Sequence, residues 1–207
     1  TTPNYADPMY LDTEGINYIR SRWAVDKNTK KTVSPQREIM YEIYADGLAP
    51  ISKSKFFGAP SYYGSGIIYY GKGLKVDLSS RDGVSGVAKT HYSINGAAYN
   101  SYSSTLEFNT DLANTLYYFA NDNVGNAEQT KQKKFTVDVS PPTSNSAISG
   151  ISFNSNIIAP STRFQLSSSD NLSGVRTTYY SYDNKSKRVY VGTKIGVSSL
   201  QDGDHVL

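Results

Sequence analysis

Side chains able to do acid–base or nucleophilic work are sparse in this 207-residue chain. It has two histidines, no cysteine, and 18 acidic residues spread along its length. Catalysis needs such groups to converge. His91 alternates onto the same strand face as Lys89, the pattern of a surface residue. His205 falls outside the apolar face of its strand. Glu38 and Glu42 come from alternating positions of one strand and have no reason to form an acid–base pair. There is no G-x-G-x-x-G, phosphate loop or histidine–zinc spacing. The Gly-rich run Gly64–Gly73 leads into a strand, whereas a phosphate cradle needs a helix N-terminus, so it reads as a flexible lead-in strand. Without cysteine, disulfides and thiolate metal sites are excluded. No catalytic residue and no cofactor is expected.

One aromatic signal stands out. Tyr62, Tyr63, Tyr69 and Tyr70 cluster in a stretch whose counterpart later in the chain holds Ser and Asn instead. A feature of one copy and not its sibling is not demanded by the fold. Tyrosine is favoured at protein interfaces and stacks on sugars, so these four are candidate partner-binding residues, for another protein or for a glycan. The structural alternative is that the rings cover a sheet edge or a neighbouring repeat. Nucleic acid is not expected. The net charge is only +3, and Lys131, Lys133 and Lys134 divide between the two faces of a strand.

Alternating strands must position these residues. Leu74, Val76 and Leu78 alternate with Lys75 and Asp77, and Val87–Ile94 is a second such run. Asn95-Gly96 is a hairpin signal, because a type I′ turn needs positive φ at both central residues. Its counterparts are Asp183-Asn184 and Asp26-Lys27-Asn28. Leu116–Ala120, almost wholly apolar and aromatic, reads as a strand central to its sheet. Eighteen tyrosines with many turn-forming residues suit an exported all-β chain. No apolar run reaches the length of a membrane span, and no signal peptide is present.

The pattern repeats. LSSRDGVSGVAKTHYS (Leu78–Ser93) matches LSSSDNLSGVRTTYYS (Leu166–Ser181) without a gap, and Ile39–Pro50 aligns with Thr115–Asn126. The copies are expected at residues 1–58, 59–139 and 140–207. Only the central one is complete, so the chain reads as a piece of a longer protein. Ile51–Phe57 is expected to close the first copy. Pro60 and Pro141-Pro142 would mark the junctions and stiffen them. Many short strands with frequent turns and no amphipathic helix predict antiparallel two-sheet sandwiches in an extended array.

The motif Asp82, Ser85-Gly86-Val87, Tyr92-Ser93, Leu116-Tyr117, Ala120, Asp122-Asn123 and Gly125-Asn126 resembles the bacterial Ig-like repeats of cell-surface and outer-envelope proteins. Asp170, Ser173-Gly174-Val175 and Tyr180-Ser181 repeat its first half. The resemblance implies an exported, non-catalytic spacer, adhesive stalk or docking module. In such a sandwich the loops carrying Asp82 and Asp122 share one end, where the preceding domain joins. That places Asp82, Asp122, Asn123 and Asn126 at the first joint, and Asp170 and Asn171 near Asp138 at the second. Converging oxygens of this kind could bind Ca²⁺. The alternative is that each side chain closes its own turn.

Overall fold

In a computed structural model, residues 14–21, 24–33, 39–154 and 157–207 are described, and the described residues are all strand, turn and loop. The strands begin with β1 (Gly15–Ser21), β2 (Ala24–Val25), β3 (Thr32–Val33) and β4 (Ile39–Ala45). The middle of the chain forms β5 (Ile51–Phe57), β6 (Ser61–Gly64), β7 (Ile67–Tyr70), β8 (Leu74–Arg81) and β9 (Val87–Ile94). After these come β10 (Asn100–Ser101), β11 (Leu106–Phe108), β12 (Leu112–Asp122) and β13 (Lys131–Val137). The last group is β14 (Thr143–Ser149), β15 (Ser152–Phe153), β16 (Ile157–Ile158), β17 (Arg163–Ser169), β18 (Tyr179–Tyr180), β19 (Arg188–Val189) and β20 (Ile195–Gly196).

Packing gathers the chain into two compact units. One holds the described residues up to Phe57 with those of Lys75–Glu107 and Asn114–Lys134, and the other holds the described residues of Gly58–Leu74, Phe108–Ala113 and Phe135–Leu207. The sheets are ordered β1-β4, β2-β3, β11-β8-β5, β10-β9-β12-β13-β7-β6, β14-β17-β20, β15-β16 and β18-β19. The long ladders β1–β4, β5–β8, β9–β12 and β14–β17 are antiparallel, while β7 runs parallel to β13. Among the described residues no sheet joins strands from opposite sides of Asp46–Pro50, or of Asp138–Pro142. The fold is thus all-β, with antiparallel sheets of the sandwich type.

Strict alternation builds the core. On β8, Leu74, Val76 and Leu78 are 0%, 0% and 6% exposed while Lys75 and Asp77 stay half-buried. On β12 the inward residues are Asn114, Leu116, Tyr118, Ala120 and Asp122, flanked by half-buried Thr115, Tyr117, Phe119 and Asn121. Each fully buried leucine side chain contributes about 2 kcal/mol of transfer free energy. The sequence expectation for Leu116–Ala120 holds, since β9 and β13 flank β12 on both sides.

The hairpin signals hold at two of three places. Asn95 (φ 55°) and Gly96 (φ 77°) both adopt positive φ, as do Asp183 (φ 50°) and Asn184 (φ 59°). The Asp26 turn is longer than expected. Asp26 Oδ1 accepts the amides of Asn28 and Thr29, and the positive φ falls on Lys30 (56°). A carboxylate that caps its own turn favours this wider loop.

Two other expectations are corrected. Ile51–Phe57 was expected to close the first copy, but β5 pairs with β8 over its whole length, from Ile51↔Arg81 to Phe57↔Lys75. β14 does the same with β17, from Thr143↔Ser169 to Ser149↔Arg163. A half-polar strand advertises a two-residue period but not which neighbour it joins, so its side of the junction was not legible. The strands that end just ahead of the Asp46–Pro50 and Asp138–Pro142 links are β4 and β13. Gly64–Gly73 is also no single lead-in strand. β6 and β7 form a hairpin around Ser65 (φ 52°) and Gly66 (φ 80°).

Candidate functional site

Three turns bring carboxylates together. Asp46 follows β4, Asp82 follows β8 and Asp122 ends β12, and one oxygen from each lies within 4.8 Å of the others. The sequence reading placed Asp82 and Asp122 there. It missed Asp46 as a third member.

Most of these oxygens are committed to amides. Asp122, 1% exposed, accepts Val124 N, Gly125 N and Asn126 N on Oδ1 at 3.0, 2.7 and 2.8 Å. Its Oδ2 accepts the Asn126 carboxamide at 2.7 Å. Asp82 Oδ1 accepts Val84 N and Gly86 N at 3.0 and 2.8 Å. Asn123 donates to the carbonyls of Ser85 and Gly86, and Asn126 donates to the carbonyl of Asp46. Each side chain therefore closes a turn or stitches one turn to the next.

Asp46 is engaged on one side only. Its Oδ2 accepts Ser85 N at 2.9 Å, whereas its buried Oδ1 has no hydrogen-bond partner among the described residues. Hydrogen bonding from Ser85 holds the Asp46 carboxyl below the usual range against the opposing effect of burial. A hard cation such as Ca²⁺ prefers a shell of six to eight oxygens. Here it would share all but a few of them with amides.

The second link repeats the contact. Asp138 Oδ2 accepts Ser173 N at 2.8 Å, and Asp170 Oδ1 accepts Leu172 N and Gly174 N at 3.0 and 2.9 Å. Asp170 thus does for its loop what Asp82 does, and Asp138 does what Asp46 does. Asn171 contributes none of these bonds.

The four tyrosines lie on the β6–β7 hairpin, with β6 at the outer edge of its sheet. Tyr62 pairs Tyr69 across the hairpin with rings stacked 6.2 Å apart, and Tyr63 pairs Ile68. Tyr62 and Tyr63 are 58% and 69% exposed, while Tyr69 and Tyr70 are half-buried. Tyr70 meets the buried Phe135 edge-on at 6.1 Å, and burial raises its phenol pKa. Tyr62 lies over Gly64, where a Cβ would sit 2.7 Å from the ring. Tyr62 and Tyr63 are thus available to a ligand, and Tyr70 is partly covered by Phe135.

His91 Nε2 lies 2.9 Å from Asn121 Oδ1, and the ring stacks on Phe119 at 4.7 Å. Tyr99 completes this outer-face aromatic patch, 5.2 Å from Phe119. The ring covers a strand instead of standing free in solvent. His205 lies between Asp183 and the Gln201 carbonyl. Glu42 accepts the Tyr44 hydroxyl at 2.7 Å, and Glu38 lies outside the described residues. Among the described residues no helix is long and apolar enough to cross a membrane. No family model, curated protein or solved structure matches the chain.

Proposed function

We propose that this chain is a run of Ig-like units within a large exported bacterial envelope protein, acting as a non-catalytic spacer and docking segment in an outer-membrane-associated assembly. The observation that carries the reading is the repeated link. In each of two places an Asp before a proline accepts the amide of the Ser in the next Ser-Gly loop, Asp46 to Ser85 and Asp138 to Ser173. Ahead of Pro141, Asp111 also accepts the amides of Val139 and Ser140 and the Ser140 hydroxyl. Bonds of this kind tie each link to the Ser-Gly loop it meets, which suits a spacer. Function on such a scaffold resides in what is grafted onto it. Here that graft is the exposed pair Tyr62 and Tyr63 on an open sheet edge.

A second reading, an adhesin or glycan-binding module of a secreted enzyme, draws on the same rings, because stacked tyrosines offer a flat face to a sugar. Affinity isolation of the full-length protein from envelopes separates the two. Envelope proteins retained by wild type and lost with Tyr62→Ser/Tyr63→Ser support docking. Retention on a glycan column, lost with the same change, supports the second reading.

A further inference from the structure

One turn is latched by two carboxamides in the central copy and by a carboxylate and an imidazole in the next. Asn95 donates its amide to Thr115 O at 2.8 Å, and its side-chain oxygen accepts Thr115 N at 2.7 Å. Asn95 Nδ2 then reaches Asn114 Oδ1 at 3.3 Å. At the matching place Asp183 donates its amide to Val206 O at 2.8 Å, and Asp183 Oδ1 accepts Val206 N at 3.0 Å. Asp183 Oδ2 lies 2.9 Å from His205 Nδ1, so His205 stands where the sibling has Asn114.

The turn so held is a costly one. Asp183 and Asn184 both carry positive φ without a glycine, whereas the sibling places Gly96 at its second position. Both ring nitrogens of His205 face acceptors, Nδ1 to Asp183 Oδ2 and Nε2 to Gln201 O at 2.7 Å. A neutral imidazole has one N–H and satisfies one of them, while an imidazolium donates to both. The two side chains are 29% and 28% exposed, so the pair is partly shielded.

We propose that Asp183 and His205 form a pH-sensitive clasp that fastens the Gln201–Leu207 segment to the turn in mildly acidic conditions and releases it as pH rises. Among the described residues, other charges near the imidazole are few. Lys185 opposes protonation across the turn, Asp202 and Asp204 lie on the segment itself, and Ile157, Ile158 and Pro160 of the same hollow bring no charge. Bonding to the Gln201 carbonyl and then to Asp183 raises the His205 pKa above 6.5. The Val206 amide and then His205 lower that of Asp183 below 3.8. The histidine's contribution is therefore full below pH 6.5 and lost as pH rises through its raised value. The carboxylate's contribution is present above pH 3.8 and lost as pH falls through its lowered value. The clasp is tightest between those limits, and its Asn95–Asn114 sibling has no titrating group.

The chain contains its own control. Imidazole NMR titration with hydrogen exchange at Val206 and Thr115, from pH 5.5 to 8.5, reads both turns in one sample. Expected is a His205 midpoint above 6.5, with Val206 protection falling severalfold as pH rises and Thr115 protection constant. The double substitution Asp183→Asn/His205→Asn should keep Val206 protected and remove the pH dependence. A His205 midpoint at or below 6.5, or flat Val206 protection in wild type, overturns the proposal, as does persistent pH dependence in the double variant.

Discussion

The carboxylate of Asp46 accepts the backbone amide of Ser85, 39 positions further along the chain, at 2.9 Å. The contact ties the end of β4 to the loop between β8 and β9. Its acid dependence follows from the lowered Asp46 carboxyl. A depressed carboxylate stabilises fully above its ordinary value of 3.8 and loses that contribution as pH falls through the lowered one. Ser85 amide protection should therefore be constant above pH 4 and fall below it. Asp46→Asn should abolish the acid step. An acid step that persists in this variant would assign it to another group.

Asp122 closes its turn through three amides from a 1% exposed position. Asp122→Ala leaves those donors without an acceptor and should cost about 2–4 kcal/mol, read as a lowered midpoint in urea. Because these oxygens are already hydrogen-bonded, a chelator should leave the wild-type Tm unchanged. A Tm that rises with millimolar Ca²⁺ and no longer does so in Asp46→Asn would instead make the cluster a calcium site.

Glu128 is a second buried tie. Its side chain is 8% exposed, accepts Ser52 N and Ala120 N, and meets Lys131 Nζ at 2.6 Å. Lys131 also donates to Ser52 O. Burial works against the charge, but Lys131 and Ser52 outweigh it and lower the carboxyl pKa. Glu128→Ala should cost about 3 kcal/mol by stranding two amides and a lysine. Glu128→Gln should cost less, since its carbonyl still accepts. Equal losses in urea midpoint would show that packing, not hydrogen bonding, is what matters there.

Much of the fold is legible in the sequence because it is local. The two-residue period of Leu74–Leu78 and the turn at Asn95-Gly96 need no knowledge of distant residues. Which strand joins which is different. The register of Ile51–Phe57 on β8 spans a hairpin that the sequence reading did not resolve, although Ser65-Gly66 carries the signal for it. The Asp82 and Asp122 turns were read as one end of a sandwich, yet Asp46 joins them through a contact no spacing rule reveals. The split among the tyrosines is likewise tertiary, for only Phe135 shows that Tyr70 is partly covered.

The pairing of β5 fixes where a fragment must begin. Residues 48–140 retain every strand of the β11-β8-β5 and β10-β9-β12-β13-β7-β6 sheets, whereas residues 59–139 lack β5. The longer fragment should unfold cooperatively. The shorter should expose the flank of β8 and either aggregate or unfold at markedly lower urea. Equal stability of the two would mean that β5 contributes nothing to this sheet.

Docking through the hairpin is tested most directly by changing Tyr62 and Tyr63 together to Ser and measuring Tm and retention of envelope partners side by side. Both rings are more than half exposed, so Tm should shift by only about 1–3 °C, as for small surface changes. Partner retention should fall, by about 2 kcal/mol or more if the rings anchor the interface. Tyr70→Ser should instead lower Tm strongly, because its ring packs on Phe135. Undiminished retention by a stably folded Tyr62→Ser/Tyr63→Ser protein would contradict the account.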